Sequence, residues 1–247
     1  MMDTATIALI QFRDNQSAAN LEYESISREL GVGVRVNRLC VRTPSDVLLH
    51  AVDASDGVIL GGSGDYDFDG NRPSDDVVRY TSKAFLDRLT PILHALHEMD
   101  KPVFGICFGH QLLGAFHGVT VHHDDKQSKL RSHTVERVQD THHPYLTGVP
   151  AVFTAQYGHK DVLSAVPRHA RLLGHGGAGC LVSLLAYSNN ILSTQFHPEL
   201  SVGDMHKRVA NIPSYLPEGA LVENLFVESP DAHRLLRNFA LRCRGEL

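Results

Sequence analysis

Residues 102–118, PVFGICFGHQLLGAFHG, constrain this chain more than any other stretch, because they set a buried strand, a glycine-flanked cysteine and a helix start in one run. Val103 to Ile106 form a short apolar segment rich in strand formers, whereas Leu112, Leu113 and Phe116 recur at helical spacing, so the chain must turn sharply at Cys107. Gly105 and Gly109 remove the side chains that would crowd such a turn. The pattern reads as a nucleophile elbow, with the thiol expected to stand exposed at the end of the sheet. The first N–H groups of the following helix, that of Phe108 among them, lack intrahelical partners and carry the positive end of the dipole. They would favour a thiolate and, during a reaction, an oxyanion. The bland alternative is a small buried cysteine, which would not need the Gly-x-Cys-x-Gly frame.

The rest of the chain supplies a sheet to hold the elbow. Strand patterns over residues 7–12, 32–39 and 56–60 alternate with helix patterns over 17–30 and 44–54, which is the signature of a parallel sheet covered on both faces. Gly31 can end the first helix. A further helical segment spans residues 76–100, and Thr90-Pro91 predicts an interruption with Thr90 capping a second helix. Beyond the elbow, residues 119–131 read as polar turns, and residues 132–138 and 151–155 as strands of an antiparallel extension. Two more strands lie within residues 171–187, around the glycine-rich loop GHGGAG at 174–179, and residues 191–196 form the strand that delivers His197. In an extended segment residues two apart share a face, so His197 and Glu199 can both point at one site while Pro198 fixes the backbone between them. Glu199 could then orient the imidazole, leaving its other nitrogen to take a proton from Cys107.

GICFGHQ at 105–111 and QFHPE at 195–199 resemble the nucleophile and His-Pro-Glu motifs of the class I, triad-type glutamine amidotransferases, and the likeness to GMP-synthetase-like members extends over most of the chain. The resemblance implies an α/β, flavodoxin-like doubly wound fold with a mostly parallel central sheet, helices on both faces and a small antiparallel extension. It implies a Cys107, His197, Glu199 triad that hydrolyses the side-chain amide of glutamine through a γ-glutamyl thioester, with the ammonia passing to a separate synthetase. The glycine loop GGSG at 61–64 matches the family's second oxyanion donor, and Gly64, standing where the family usually has proline, leaves the register open between Gly62 and Ser63. Gln111 and His159 are the implied substrate-binding residues, the latter within YGHKDV at 157–162, although His159 could equally be an ordinary turn histidine. Family members often carry Glu-x-Gly where this chain has Leu130-Arg-Ser-His133. That departure admits a second reading, an independent hydrolase of a larger γ-glutamyl amide. A silent binding module is the third.

The chain has 247 residues, enough for one well-buried domain over 1–247, and residues 201–228 read as an insertion before a closing helix at 231–243. The stretch at 211–219 looks loop-like and suited to folding over the site as a lid or to docking a partner. A net charge of −5, with no basic run interleaved with aromatics, argues against a nucleic-acid partner. No apolar run approaches a membrane span, and residues 1–6 lack the basic start of a secretory leader, so a cytoplasmic protein is expected. Four scattered cysteines predict neither a disulfide framework nor a zinc knuckle. The acidic loop at 65–76 has a calcium-like spacing but lacks the twelfth-position glutamate. The doublets His122-His123 and His142-His143 have no metalloprotease spacing and read as exposed loop histidines. No metal and no cofactor is expected.

Overall fold

The computed structural model describes residues 4–139, 141–211 and 222–247. Five strands build the parallel part of a nine-stranded sheet: β1 (Ala5–Gln11), β2 (Val34–Cys40), β3 (Gly57–Leu60), β4 (Val103–Ile106) and β11 (Ile191–Thr194). Their order across the sheet is β2-β1-β3-β4-β11. The sheet continues antiparallel through β10 (Leu184–Ala186), β9 (Arg171–His175), β6 (Lys129–Arg137) and β7 (Val152–His159). A separate two-stranded ribbon pairs β5 (Val121–His123) with β8 (Asp161–Leu163). This is the flavodoxin-like architecture with an antiparallel extension.

Alternation along the strands divides the core. Ile7, Leu9, Ile59, Phe104 and Ile106 face one side, where α1 (Gln16–Leu30) and α6 (Pro230–Cys243) contribute Ile26, Leu30, Leu235 and Phe239. Ala8, Ile10, Val58, Leu60 and Val103 face the other, against α2 (Ser45–Asp53), α3 (Val77–Glu98) and α4 (Phe108–Phe116). Both faces of these central strands are buried, so their apolar runs are nearly continuous, as parallel sheets require.

Three local expectations change. Pro91 lies inside α3 and does not break it. Its missing N–H removes one hydrogen bond, but Phe85, Leu89, Ile92, Leu93 and Leu96 keep a single buried stripe on either side of it, and that packing carries the helix through. Thr90 caps nothing and donates its hydroxyl to the Leu86 carbonyl at 2.8 Å. The strands β6 and β7 are longer than their apolar patterns because they pair from Glu136↔Val152 to Lys129↔His159, so polar residues that read as turns enter the ladder. The doublet His122-His123 belongs to β5, and His143 is buried, its Nδ1 accepting from the Tyr145 N–H at 3.2 Å, while His142 is exposed.

Residues 201–228 contain a helix that loop-like composition obscures: α5, Val202–Asn211. Ser201 and Asp204 start it reciprocally, Ser201 Oγ accepting from the Asp204 N–H at 3.2 Å and Asp204 Oδ2 from the Ser201 N–H at 3.0 Å. Met205 and Val209 then pack with Leu200, Phe226 and Leu130. Most of the 211–219 stretch lies outside the described residues. Among the described residues no helix is long and apolar enough to cross a membrane, and no group of three or more His, Cys, Asp or Glu side chains could hold a metal ion.

Candidate active site

Three neighbouring parallel strands, β3, β4 and β11, end at the same edge of the sheet, and their following loops meet there. Cys107 follows β4 with φ 50° and ψ −96°, a strained conformation for a residue with a side chain. Both flanking loops lock it: the Cys107 N–H donates to the Thr194 carbonyl at 2.8 Å, and the Gly109 N–H to the Gly61 carbonyl at 3.1 Å. Gly109 is required sterically. A Cβ there would stand 2.2 Å from the Leu60 carbonyl oxygen, and one on Gly105 would stand 2.9 Å from the Gly109 carbonyl.

The elbow is therefore present, but its thiol is buried, at 3% exposure. Burial pushes the Cys107 thiol up to about 11, against the pull of Arg208, Arg13 and the Phe108 N–H. In this arrangement Sγ donates to the Gly158 carbonyl at 3.9 Å and accepts from Gln195 Nε2 at 3.7 Å. Cys40 is the exposed thiol. The elbow pattern gives the opposite expectation, an exposed thiol, because depth in the fold cannot be read from a strand-to-helix turn.

His197 and Glu199 leave the sheet after β11, and the His197 N–H donates to the Gln156 carbonyl of β7 at 2.8 Å. The imidazole Nδ1 lies 2.7 Å from Glu199 Oε1, with both side chains buried. Pro198 between them is held from behind, its carbonyl accepting from His233 Nδ1 of α6 at 2.6 Å. Glu199 Oε2 has no hydrogen-bond partner, and burial pushes its carboxyl up to about 7 despite Arg208 and Arg13 nearby. His197 is held well below the ordinary imidazole range by burial first and then by the charges of Arg208 and Arg13.

The two arginines did not emerge from sequence. Arg208 comes from α5, and its Nη1 sits 2.8 Å from His197 Nε2 and 3.3 Å from Nδ1, while Nη2 reaches the Gly158 carbonyl at 3.3 Å. A donor along the Nε2 lone pair in the ring plane would be far from Nδ1, so near-equal distances put the guanidinium over the face of the imidazole. Cys107 and His197 are not hydrogen-bonded to each other. Arg13 is buried against Glu22 at 3.0 Å, and Glu22 Oε1 also accepts from the Gly62 N–H at 2.8 Å. Only the Ser201-x-x-Asp204 cap and the apolar spacing of Val202, Met205 and Val209 could have revealed the helix that carries Arg208.

A cleft beside the thiol is lined by Ser63, Tyr66, Phe108, Gln111, Gly158 and His159 among others. Gln111 is fixed by donating to the Asp161 carbonyl at 2.8 Å. His159 ends β7, and its Nε2 lies 2.9 Å from the Gln127 carbonyl. The residues of the acidic loop are spoken for: Asp67 pairs with Arg72, Asp69 with Arg79, and the Asp69 and Gly70 N–H groups donate to the Asp161 carboxylate.

The model of the glutamine amidotransferase class-I family matches residues 14–212. The chain belongs to that family. Among curated relatives, this amidotransferase-family chain is 30% identical over 102 residues to a subunit of the glutamine-hydrolyzing GMP synthase of Methanococcus maripaludis strain C5, a match covering 41% of the chain and about half, 52%, of that relative. It is 27% identical over 170 residues to gamma-glutamyl peptidase 5 of Arabidopsis thaliana, covering 64% of the chain and 67% of the relative. In fold it is similar to a glutamine amidotransferase from Thermotoga maritima, with a TM-score of 0.71 and 18% identity over 98% of both chains. The same sheet edge that the family motifs pointed to thus carries the elbow, the His197–Glu199 pair and the cleft.

Burial at this amidotransferase edge and in the adjoining core makes a pH prediction. His110 and His159 are pushed down to about 3, His117 to about 4 and His197 well below its ordinary value, in each case chiefly by burial. Folded pKa values below the unfolded value of about 6.5 mean that the unfolded chain binds more protons in acid. Stability from these four groups is present above about pH 6.5 and lost as pH falls through it towards 3–4. Glu199 and Asp161, raised by burial, act in the opposite sense, while His133 and His143, also lowered by burial, add to the first four, so six histidines oppose two carboxyl groups. The urea midpoint is expected to drop between pH 7 and pH 5 with net proton uptake on unfolding. A midpoint unchanged over that range would refute the assignment of these histidines as neutral.

Proposed function

We propose that this protein cleaves a γ-glutamyl amide with Cys107 as nucleophile, His197 as base and acid, and Glu199 as the carboxylate that orients His197, glutamine being the smallest such substrate. The observation that carries the reading is the convergence of the Cys107 elbow and the 2.7 Å His197–Glu199 pair at the ends of the hydrogen-bonded neighbours β4 and β11. Because Nδ1–H donates to Glu199, the lone pair of His197 is on Nε2, the nitrogen able to take the thiol proton. The sulfur attacks the γ-carbon. The oxyanion is stabilised by the N–H of Phe108 and by that of Ser63, a better donor than Gly62, whose N–H is already given to Glu22. His197 returns its proton to the departing nitrogen as the C–N bond breaks, leaving a γ-glutamyl thioester and the free amine. Water, deprotonated by His197, then attacks the thioester, releasing glutamate and restoring the thiol.

We assign the acyl part of the substrate to the side of the thiol where Gln111 and the end of β7 at His159 line a narrow cleft. No cofactor enters this chemistry. We read residues 1–247 as one domain with 201–228 inserted before the closing helix, acting in the cytoplasm, where thiols stay reduced. One relative is by name part of a glutamine-hydrolysing synthase, which supports a role in which ammonia passes to a separate synthetase chain. A second reading, an independent hydrolase of larger γ-glutamyl compounds, is supported by the longer match to a gamma-glutamyl peptidase and by Arg208 at the base. The triad itself weighs against a silent module. Glutamate release from glutamine and from γ-glutamyl dipeptides by the purified chain tests the reading. Release from at least one of them is expected, and release from none would overturn it.

A further inference from the structure

The position of Arg208 asks for an anion. Its side chain belongs to a residue only 8% exposed, yet its guanidinium rests on two uncharged partners, the His197 ring and the Gly158 carbonyl, and no ion pair to it forms among the described residues. Glu199 is close enough to feel its charge, yet a buried guanidinium held by no direct ion pair is costly, and one stacked on the base is costly to catalysis as well. His197 must become an imidazolium when it takes the thiol proton, and a cation lying 2.8 Å away opposes that step.

Geometry says from which part of a substrate the anion would come. The cleft for the acyl group lies on the Cys107 side, lined by Ser63, Gln111 and His159. Arg208 lines a second, separate cavity with Arg13, Glu22, Glu199 and Leu200, on the side of the base. His197 Nε2 is the atom that hands a proton to the departing nitrogen, so that nitrogen must come in along the Nε2 lone pair, in the ring plane and next to the guanidinium that covers the face of the ring. In a γ-glutamyl α-amino acid the carboxylate carbon of the departing group is about 2.5 Å from that nitrogen, two bonds away. A flexible arginine displaced from the ring is then within reach of a two-point bond to the carboxylate. Ammonia, the leaving group of glutamine, offers no such group.

We propose that Arg208 is a specificity residue that binds the carboxylate of the departing amine, and that the preferred substrates are therefore γ-glutamyl α-amino acids and peptides ending close to the scissile bond. The carboxylate draws the guanidinium off the imidazole and neutralises it, so substrate binding itself frees the base. The bond changes are those of the thioester route, with an amino acid leaving in place of ammonia. This inference rests on the γ-glutamyl hydrolase reading and specifies its substrate.

The test compares kcat/KM for γ-glutamylglycine, for the isosteric neutral γ-glutamylglycinamide and for glutamine, in the full chain and in Arg208→Gln, Arg208→Ala and Arg208→Lys. The unaltered protein is expected to favour γ-glutamylglycine over γ-glutamylglycinamide at least tenfold. Arg208→Gln and Arg208→Ala should lose that preference, the ratio of kcat/KM on γ-glutamylglycine to that on γ-glutamylglycinamide falling towards one, and Arg208→Lys should keep part of it. Equal rates on the acid and the amide in the unaltered protein would overturn the proposal without recourse to any variant, as would a preference that survives in Arg208→Gln. Activity on none of the three compounds would bring down the γ-glutamyl reading itself, a separate result from activity without discrimination.

Discussion

Cys107→Ser is expected to lower turnover of any γ-glutamyl amide by about 10⁴-fold or more while leaving the fold intact. A serine hydroxyl is a far weaker acid than a thiol, and this site adds desolvation that already pushes the thiol up to about 11, so His197 would have to extract a proton at much greater cost. Stability should change by only about 1 kcal/mol. The sulfur makes long contacts at 3.9 and 3.7 Å to Gly158 and Gln195, and the elbow is held by backbone bonds that serine keeps. Steady-state assays together with urea unfolding measure both. A variant that retains turnover removes Cys107 as nucleophile, and one that unfolds makes it a core residue.

His197→Ala and Glu199→Gln should separate the base from the group that orients it. Losing the imidazole removes both proton transfers, and a fall of about 10⁴-fold or more is expected. The amide of Glu199→Gln can still accept from Nδ1–H through its oxygen but cannot offset the imidazolium charge, so the expected loss is smaller, about 10²- to 10⁴-fold. Glu199 Oε2 makes no hydrogen bond, which spares the variant a second broken contact. Negligible effects of both substitutions on rate would mark the pair as structural support for the β11 end.

What the sequence made legible was largely what backbone periodicity and local sterics encode. The βαβ alternation, the elbow at Cys107 and the two-residue spacing of His197 and Glu199 are statements about neighbours in the chain, and the structure has each of them. Where burial by distant segments decides, sequence patterns were insufficient. Pro91 stays helical because its neighbours share a stripe against the sheet, and the Cys107 thiol is covered by strands whose contacting residues lie 51 and 88 positions further on. Arg208 is the clearest case. Its helix was hidden in a segment rich in polar residues, and its seat on His197 follows from how α5 is tethered to α1 through the 2.6 Å Arg28–Asp204 bridge, a contact spanning 176 positions. The bond that takes up the Gly62 N–H likewise comes from Glu22, 40 residues away, which the loop's own sequence does not announce.

The bond from His233 to the Pro198 carbonyl ties the turn that presents the base to α6. A ribosome releases a chain from its N-terminal side, so the elbow and the strands β1, β3 and β4 around it can assemble while α6 is still within the exit tunnel. The imidazole gains its backing only when that helix emerges. On the proposed roles, a nascent chain would carry its nucleophile before its base is backed, and until then the thiol would have no partner able to fire it.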